Sequence, residues 1–325
     1  MWGHHYTCGR GNFILDMLAT LLRKVSAKSD THYDFPSVSA WLNKLTASRK
    51  SLCLLFERGE TWLVLDNGLQ LKYTNKLNSV SAIMLSHGRY EALEIELVCA
   101  NLSDDSVFFD IGANVGLYSL SVAYRIRRVG IHAFEPVPDT VLGFRDNLSR
   151  NGLDGRVILN QLAVGETDGQ VYITSDHHSS NYLIHSDSDE KKIEVGCTSL
   201  DKYVRDNSIQ RVDVMKVDVE GREFSVLKGA VGSLERFRPM VIVELMETPS
   251  DFFDRKVEPF RETINLMVSL DYEYYVIDDK NDLVHMRRMQ EAFFSKSYHN
   301  YLFYHGKVNV DVSQDDLLAR PAQHI

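Results

Sequence analysis

The sequence predicts an α/β protein built on a mostly parallel sheet, preceded by a smaller helical and β-hairpin extension. Three observations carry this. From residue 107 onward, short apolar runs alternate with helical stretches, and a repeat of strand and helix means a parallel sheet covered on both faces. Ahead of it, residues 52–73 break into three strand-like runs separated by Arg58-Gly59-Glu60 and Asp66-Asn67-Gly68, which are hairpin turn signals. The 325 residues are 44% hydrophobic and 25% charged, the composition of a chain able to bury a core and unlike that of a disordered or fibrous one.

Taken in order, Phe13, Leu15, Leu18, Leu21, Leu22 and Val25 recur mostly at three- and four-residue spacing, which predicts an amphipathic helix over 13–25. A second helix is expected over 38–45, then strands over 52–56, 61–65 and 69–73, and a helix over 89–101 leading into the main domain. The main domain follows with strands over 107–111, 131–134, 157–159, 212–217 and 240–243 and helices over 117–127, 139–151 and 223–237. Residues 172–174 and 193–195 read as a local hairpin with a polar tip. Two aromatic-rich strands, 272–277 and 301–305, close the domain, the last expected antiparallel. Residues 187–192 read as a solvated loop, and the last ten or so residues as a fraying tail. The domain reading is an extension over 1–95 that caps the substrate side, an α/β domain over 96–310 and a tail over 311–325.

With 36 Lys plus Arg against 45 Asp plus Glu, the formal charge is −9. That balance offers no global field for a polyanion, so no nucleic-acid partner is expected. Cys8, Cys53, Cys99 and Cys197 form no C-x-x-C pair and so give no foundation for a paired-cysteine zinc site or a disulfide scaffold; a reducing compartment is the default. The apolar run over 13–22 contains Asp16 and stops at Arg23-Lys24, too short to span a bilayer. It lacks a basic leader and a small-residue cleavage site. The expectation is a cytoplasmic protein with no membrane span, for which a homo-oligomer is compatible.

The chemistry is expected at the carboxyl edge of the sheet, where open α/β folds bind ligands. Asp110 ends a buried strand, and the turn to the next helix carries Gly112, Asn114 and Gly116. The two glycines remove Cβ atoms that would block a ligand and permit left-handed torsions; Asn114 is placed to cap the helix or donate to a ligand. Glu135 closes the next strand, 25 residues after Asp110, where an acid can accept both hydroxyls of a ribose. Together these features point to an adenosine-type ligand. The turn reads G-x-x-x-G and not the G-x-G-x-x-G of dinucleotide sites, and the charge of Asp110 suits an ammonium or sulfonium ligand better than phosphates. Lys216, Asp218 and Glu220 alternate along the end of a later strand and so share a face, with Glu244 ending the next. Ionisable groups there need partners or a substrate. The three acids are hard oxygen ligands that would suit magnesium, but no spacing demands it, and no metal is expected.

These segments resemble the FkbM-family methyltransferases. The resemblance rests on Phe109-Asp-Ile-Gly-Ala-Asn-Val-Gly-Leu-Tyr-Ser-Leu120, Ala133-Phe-Glu-Pro136, Asn147 with Asn151, Ala163-Val-Gly165, Thr198-Ser-Leu-Asp201, Met215-Lys-Val-Asp-Val-Glu-Gly-Arg-Glu223 with Leu227-Lys-Gly-Ala230, and Val241-Ile-Val-Glu244. It covers residues 88–248. It implies a Rossmann-like seven-stranded methyltransferase sheet, mostly parallel with one antiparallel strand, and S-adenosyl-L-methionine as cofactor. By the same resemblance, Asp110, Gly112, Asn114 and Gly116 would surround the methionine part, Glu135 would hold the ribose, and Leu162-Ala163 would line the adenine. Asp218 would sit closest to the methyl group. Asp218, Glu220 or Glu244 would accept the acceptor's proton, with Lys216 tuning them or orienting the substrate; His177 and His178 are further candidate bases, and Glu91 a candidate for the cofactor's amino group. The implied activity is O-methylation of a hydroxyl on a small molecule or sugar. The competing readings are a non-catalytic nucleoside-binding subunit or scaffold, an N-methyltransferase acting on a macromolecule, which the absence of an Asn-Pro-Pro-Tyr signature disfavours, and an NAD-dependent oxidoreductase.

Overall fold

The computed structural model describes residues 53–57, 59–74, 80–81, 84, 90–174, 183–184, 192–246, 260–277, 283–286 and 298–306. The helices expected over 13–25 and 38–45, the histidine-bearing loop and the tail lie outside them. Contacts group the chain into two compact units, Met1–Tyr90 and Glu91–Ile325.

In the first unit, β1 (Cys53–Glu57), β2 (Glu60–Val64) and β3 (Gln70–Lys72) form the expected antiparallel meander. Register pairs Phe56 with Thr61 and Leu63 with Leu71. The turn at Asp66-Asn67-Gly68 works as its composition predicts: Gly68 takes a φ of 90°, and the Asn67 side chain accepts from the Leu69 N–H at 3.0 Å. Trp62, Leu63, Leu65, Leu69 and Leu71 are buried.

The second unit begins with α1 (Ala92–Ala100) and alternates β4 (Val107–Ile111), α2 (Leu117–Arg125), β5 (Gly130–Phe134), α3 (Pro138–Arg150) and β6 (Ile158–Asn160). There follow β7 (Ala163–Val164), β8 (Gly169–Thr174), β9 (Leu183–Ile184), β10 (Lys192–Thr198), α4 (Leu200–Asp206), β11 (Val214–Val217), α5 (Glu223–Lys228), α6 (Val231–Phe237) and β12 (Met240–Met246). The chain closes with α7 (Phe260–Ser269), β13 (Glu273–Ile277), β14 (Leu283–Met286) and β15 (Tyr298–Tyr304). The main sheet has the order β14-β13-β15-β12-β11-β4-β5-β6. From β12 to β6 all pairs are parallel, whereas β15 runs antiparallel to both β12 and β13. Seven of these strands are the expected sheet with its single reversed strand; β14 adds an eighth at the edge. The expected local hairpin is β8 paired with β10, in a separate four-stranded sheet.

Alternation along the strands sorts the faces. Phe109, Ile111, Met215, Val217, Val241 and Val243 pack in one buried cluster with Val204 of α4, Leu227 of α5, Leu234 of α6 and Met267 of α7. Their neighbours Asp110, Lys216 and Glu244 point to the other face, toward α2, whose Ser119 hydrogen-bonds Asp110. The helix expected over 223–237 is two helices. Gly229 lies against the backbone of Gly165, where a Cβ would stand 2.1 Å from the Gly165 oxygen, and the chain breaks there to allow the approach. Asp201 then caps α6, accepting from the N–H groups of Gly232 (2.8 Å) and Ser233 (2.7 Å) and from the Ser233 hydroxyl (2.6 Å). Helices α4 and α7 and the two-residue strand β7 were not expected from the sequence.

Candidate active site

A cleft opens at the carboxyl ends of β4, β5 and β11, with about 750 Å³ of space between its walls, continuous with solvent. It is within the size range of small-molecule sites. Of the residues singled out in the sequence, Gly112, Asn114, Glu135, Leu162, Ala163, Asp218 and Glu220 line it. Asp110, Gly116, Lys216 and Glu244 do not.

The turn after β4 is held from several sides. Gly112 and Ala113 donate their N–H groups to the Phe134 carbonyl at 3.0 and 2.9 Å, and Asn147 of α3 donates its side-chain amide to the Val115 carbonyl at 2.9 Å. Gly112, Asn114 and Gly116 have φ of 75°, 50° and 87°, the left-handed torsions that the glycine spacing predicts. A Cβ at Gly112 would stand 1.7 Å from the Asp218 carbonyl oxygen, so its bare backbone lets the β4 and β11 loops touch as well as opening the cleft. Gly116 packs against the neighbouring helix. Its missing Cβ makes room for Phe144 of α3, whose ring would be 2.0 Å away. Asp110 lies behind the turn: its carboxylate is fully buried and turned to α2, accepting from the Ser119 N–H (3.1 Å) and hydroxyl (2.6 Å). Burial pushes its carboxyl up, against the opposing pull of Lys216.

Glu135 bridges the turn and the next helix. One carboxylate oxygen accepts from the Asn114 N–H at 3.0 Å and the other from the Val137 N–H at 2.9 Å. Each oxygen keeps a lone pair for a further donor. Burial lifts the Glu135 carboxyl to about 7, with the two N–H groups pulling the other way. Beside it the wall is apolar, formed by Val137, Leu162, Ala163 and Ile173. The cleft thus offers an acid at one edge of a hydrocarbon slot, with the β8–β10 hairpin contributing one side.

At the other end, Lys216 donates to Asp218 at 2.8 Å and to the Gly112 carbonyl at 3.4 Å, and its ammonium lies 5.2 Å from the Tyr118 ring centre. Burial opposes that charge, but Asp218, Glu91 and Asp110 together hold the Lys216 ammonium more strongly protonated than usual. Burial would raise Asp218, yet Lys216 and a hydrogen bond from Glu244 hold it below the usual carboxylate range. Glu244 is pushed well up by burial and by Asp218. Tyr118 donates its hydroxyl to Glu91 at 2.6 Å, and burial lifts Glu91 to about 7. Glu91 and Tyr118 thus join the Lys216 group and do not line the cleft.

The sequence reading missed Glu223. One of its oxygens accepts from the N–H groups of Val219 (3.1 Å) and Gly221 (3.0 Å), fixing the left-handed loop in which Glu220 has φ 55° and Gly221 φ 90°. A carboxylate three residues past Glu220, opening a helix, was the available signal. Among the described residues no group of three or more His, Cys, Asp or Glu is arranged to hold a metal ion, and no helix is long and apolar enough to cross a membrane. Cys99 and Cys197 are free.

A reversed strand between two parallel ones, a glycine turn after β4 and an acid ending β5 define a Rossmann-like methyltransferase fold. The family profile described as "Methyltransferase FkbM domain" matches residues 110–274. The chain belongs to the FkbM methyltransferase family. It is 30% identical over 151 residues to the hexuronic acid methyltransferase AglP of Haloferax volcanii, a match covering 46% of this chain and 60% of that protein. It is 26% identical over 159 residues to the 31-O-demethyl-FK506 methyltransferase FkbM of Streptomyces tacrolimicus, covering 39% of this chain and 60% of that one. Among solved structures it is similar to the methyltransferase FkbM from Methylobacillus flagellatus, with 16% identity, a TM-score of 0.40, and coverage of 62% of this chain and 44% of that chain. The shared stretch is thus about three fifths of each of these two relatives.

Proposed function

We propose that the protein is an S-adenosylmethionine-dependent O-methyltransferase acting on a hydroxyl of a small molecule or sugar. The observation that supports this best is that Glu135 and Asp218 face one cleft from neighbouring strand ends, with an apolar slot beside the first and an ion-paired group beside the second. The residues fit the cofactor: Glu135 has lone pairs left for ribose hydroxyls, Val137, Leu162, Ala163 and Ile173 suit a purine, and Gly112 and Asn114 leave the turn's backbone open to the amino-acid part. When bound, S-adenosylmethionine supplies an electrophilic methyl group, whose transfer to an acceptor oxygen breaks the methyl–sulfur bond, leaves that electron pair on sulfur and releases the hydroxyl proton. Asp218, kept ionised by Lys216, is the acceptor of that proton, with Glu220 at the cleft rim. Lys216 keeps the base in place, and Asp110 fixes the turn from behind through Ser119. The names of the two relatives, one a hexuronic acid methyltransferase and one a 31-O-demethyl-FK506 methyltransferase, support an oxygen acceptor.

Calorimetry on the full chain tests the reading. Micromolar binding of S-adenosylmethionine or S-adenosylhomocysteine, no response to NAD, and at least tenfold weaker binding by Glu135→Ala are expected. Tight NAD binding, or Glu135→Ala with unchanged affinity, would refute it. A labelled-methyl screen against glycans, lipids and polyketides then identifies the acceptor.

A further inference from the structure

We propose that Asn160 is a positioning residue for the ribose of the cofactor: clamped from behind by Tyr203 and His132, it fixes the backbone of Glu135 and with it the aim of both Glu135 oxygens. This rests on the reading of Glu135 as the acid that holds the ribose. Asn160 ends β6, which lies at the edge of the main sheet beside β5. A strand of three residues with a neighbour on one side has few ladder bonds to fix it, so side-chain bonds decide where its end sits. Beyond the last paired residues, Phe134 and Asn160, the Glu135 N–H donates to the Asn160 carbonyl at 3.1 Å. That bond carries the position of Asn160 directly to the residue that faces the cleft.

The side chain of Asn160 is engaged at both ends. Its amide nitrogen donates to the Ala133 carbonyl of β5 at 3.1 Å and to the Ile158 carbonyl of its own strand at 3.2 Å. With the nitrogen turned to those carbonyls, the amide oxygen faces Tyr203 of α4 and accepts from its hydroxyl at 3.3 Å. The Tyr203 oxygen lies 2.9 Å from Nδ1 of His132 on β5. Because the hydroxyl proton is aimed at Asn160, the imidazole supplies an Nδ1–H to that oxygen, and the bonds run in one direction from His132 through Tyr203 to Asn160. The rings are held by packing. Tyr203 is buried, edge-on to Phe134 at 4.8 Å and to Phe109 at 6.0 Å between ring centres, and His132 lies 5.1 Å from Phe109. The same cluster thus locates the clamp and Phe134, the residue before Glu135. Glu135 is fixed at its N–H by Asn160 and at its two oxygens by the N–H groups of Asn114 and Val137. A ribose diol needs both oxygens at once, and a shift of the Glu135 backbone would turn both away together.

Calorimetry on the full-length protein with S-adenosylhomocysteine and its 2′,3′-dideoxy analogue tests this. The analogue keeps the purine and the amino acid but lacks both hydroxyls that Glu135 would accept. The wild type is expected to bind the diol at least about tenfold more tightly. Asn160→Leu, which keeps the side chain's size and removes its polar bonds, should bind S-adenosylhomocysteine about five- to tenfold more weakly and the analogue within about twofold of the wild type. Tyr203→Phe keeps the ring and removes only the hydroxyl, and should show the same selective loss at about two- to threefold. A loss shared equally by the two ligands would mean that Asn160 only stitches the edge strand, and overturns the proposal; so do folded variants with unchanged affinities. Should Asn160→Leu fail to fold, the ratio of the two affinities in Tyr203→Phe decides alone. A wild type that binds both ligands equally defeats the ribose reading of Glu135 and the proposal with it, whereas discrimination that both variants retain in full defeats the proposal only.

Discussion

Replacing Gly116 by Ala separates a glycine kept for packing from one kept for a ligand. The backbone there has φ 87°, which costs an L-residue about 1 kcal/mol. The new methyl would lie 2.0 Å from Phe144 Cε2 and 2.3 Å from Cδ2, well inside the 3.4 Å at which ordinary contact begins. Phe144 is fully buried, so its ring has nowhere to go without moving α3, and overpacking of this kind costs about 1–3 kcal/mol. The expected loss is therefore about 2–4 kcal/mol, read as a lowered urea midpoint at constant slope. Phe144→Leu removes the obstructing ring edge at a cost of its own. In the double variant the steric part of the Gly116→Ala penalty should vanish, leaving a coupling of at least 1 kcal/mol. Additive single costs would mean that the ring is not the obstacle, and an unchanged midpoint in Gly116→Ala would defeat the packing account altogether.

Stability should also depend on pH in a set direction. Glu91, Glu135 and Glu223 sit near 7 in the folded chain against about 4.5 for an unburied Glu, so the folded state holds more protons between those values. Their contribution is full below about pH 4.5 and is lost as pH rises through about 7, with a ceiling of about 3 kcal/mol for each group. Thermal melts from about pH 5 to 8 should fall less steeply for Glu135→Gln than for the wild type; parallel curves would contradict this. Asp201→Ala should cost about 1–2 kcal/mol by uncapping α6 without changing S-adenosylhomocysteine affinity, checked by denaturation and calorimetry together. Lys216→Met should cost about 3 kcal/mol by leaving Asp218 without its cation, and carboxyl NMR should show the Asp218 resonance titrating at a higher pH than in the wild type.

Much of the sheet was legible because its strands are short apolar runs bounded by helices, and period alone identifies those. The glycines at 112 and 116 announced left-handed backbone, and both have it. What the spacing did not disclose was the reason for each: Gly112 yields to the Asp218 loop, Gly116 to an aromatic ring on α3, and both partners are far away in the chain. The break at Gly229 was hidden for the same cause, since a glycine within a helical pattern reads as tolerated until the backbone of Gly165 is brought against it. Acids at strand ends were readable as a set, because alternation places Lys216 and Asp218 on one face. Which of them reach the cleft was not, because Asp110 is claimed by Ser119 and Glu244 by Asp218, and such claims depend on helix placement. Glu223 escaped notice since a carboxylate at a helix start usually has no duty beyond the helix.

The abutment of Gly112 on the Asp218 carbonyl has a mechanical consequence. The two loops leave no room for even one side-chain carbon between them, so the turn after β4 and the backbone that bears Asp218 form one continuous wall, and on the proposed reading any residue larger than glycine at 112 would shift Asp218 away from its place in the cleft.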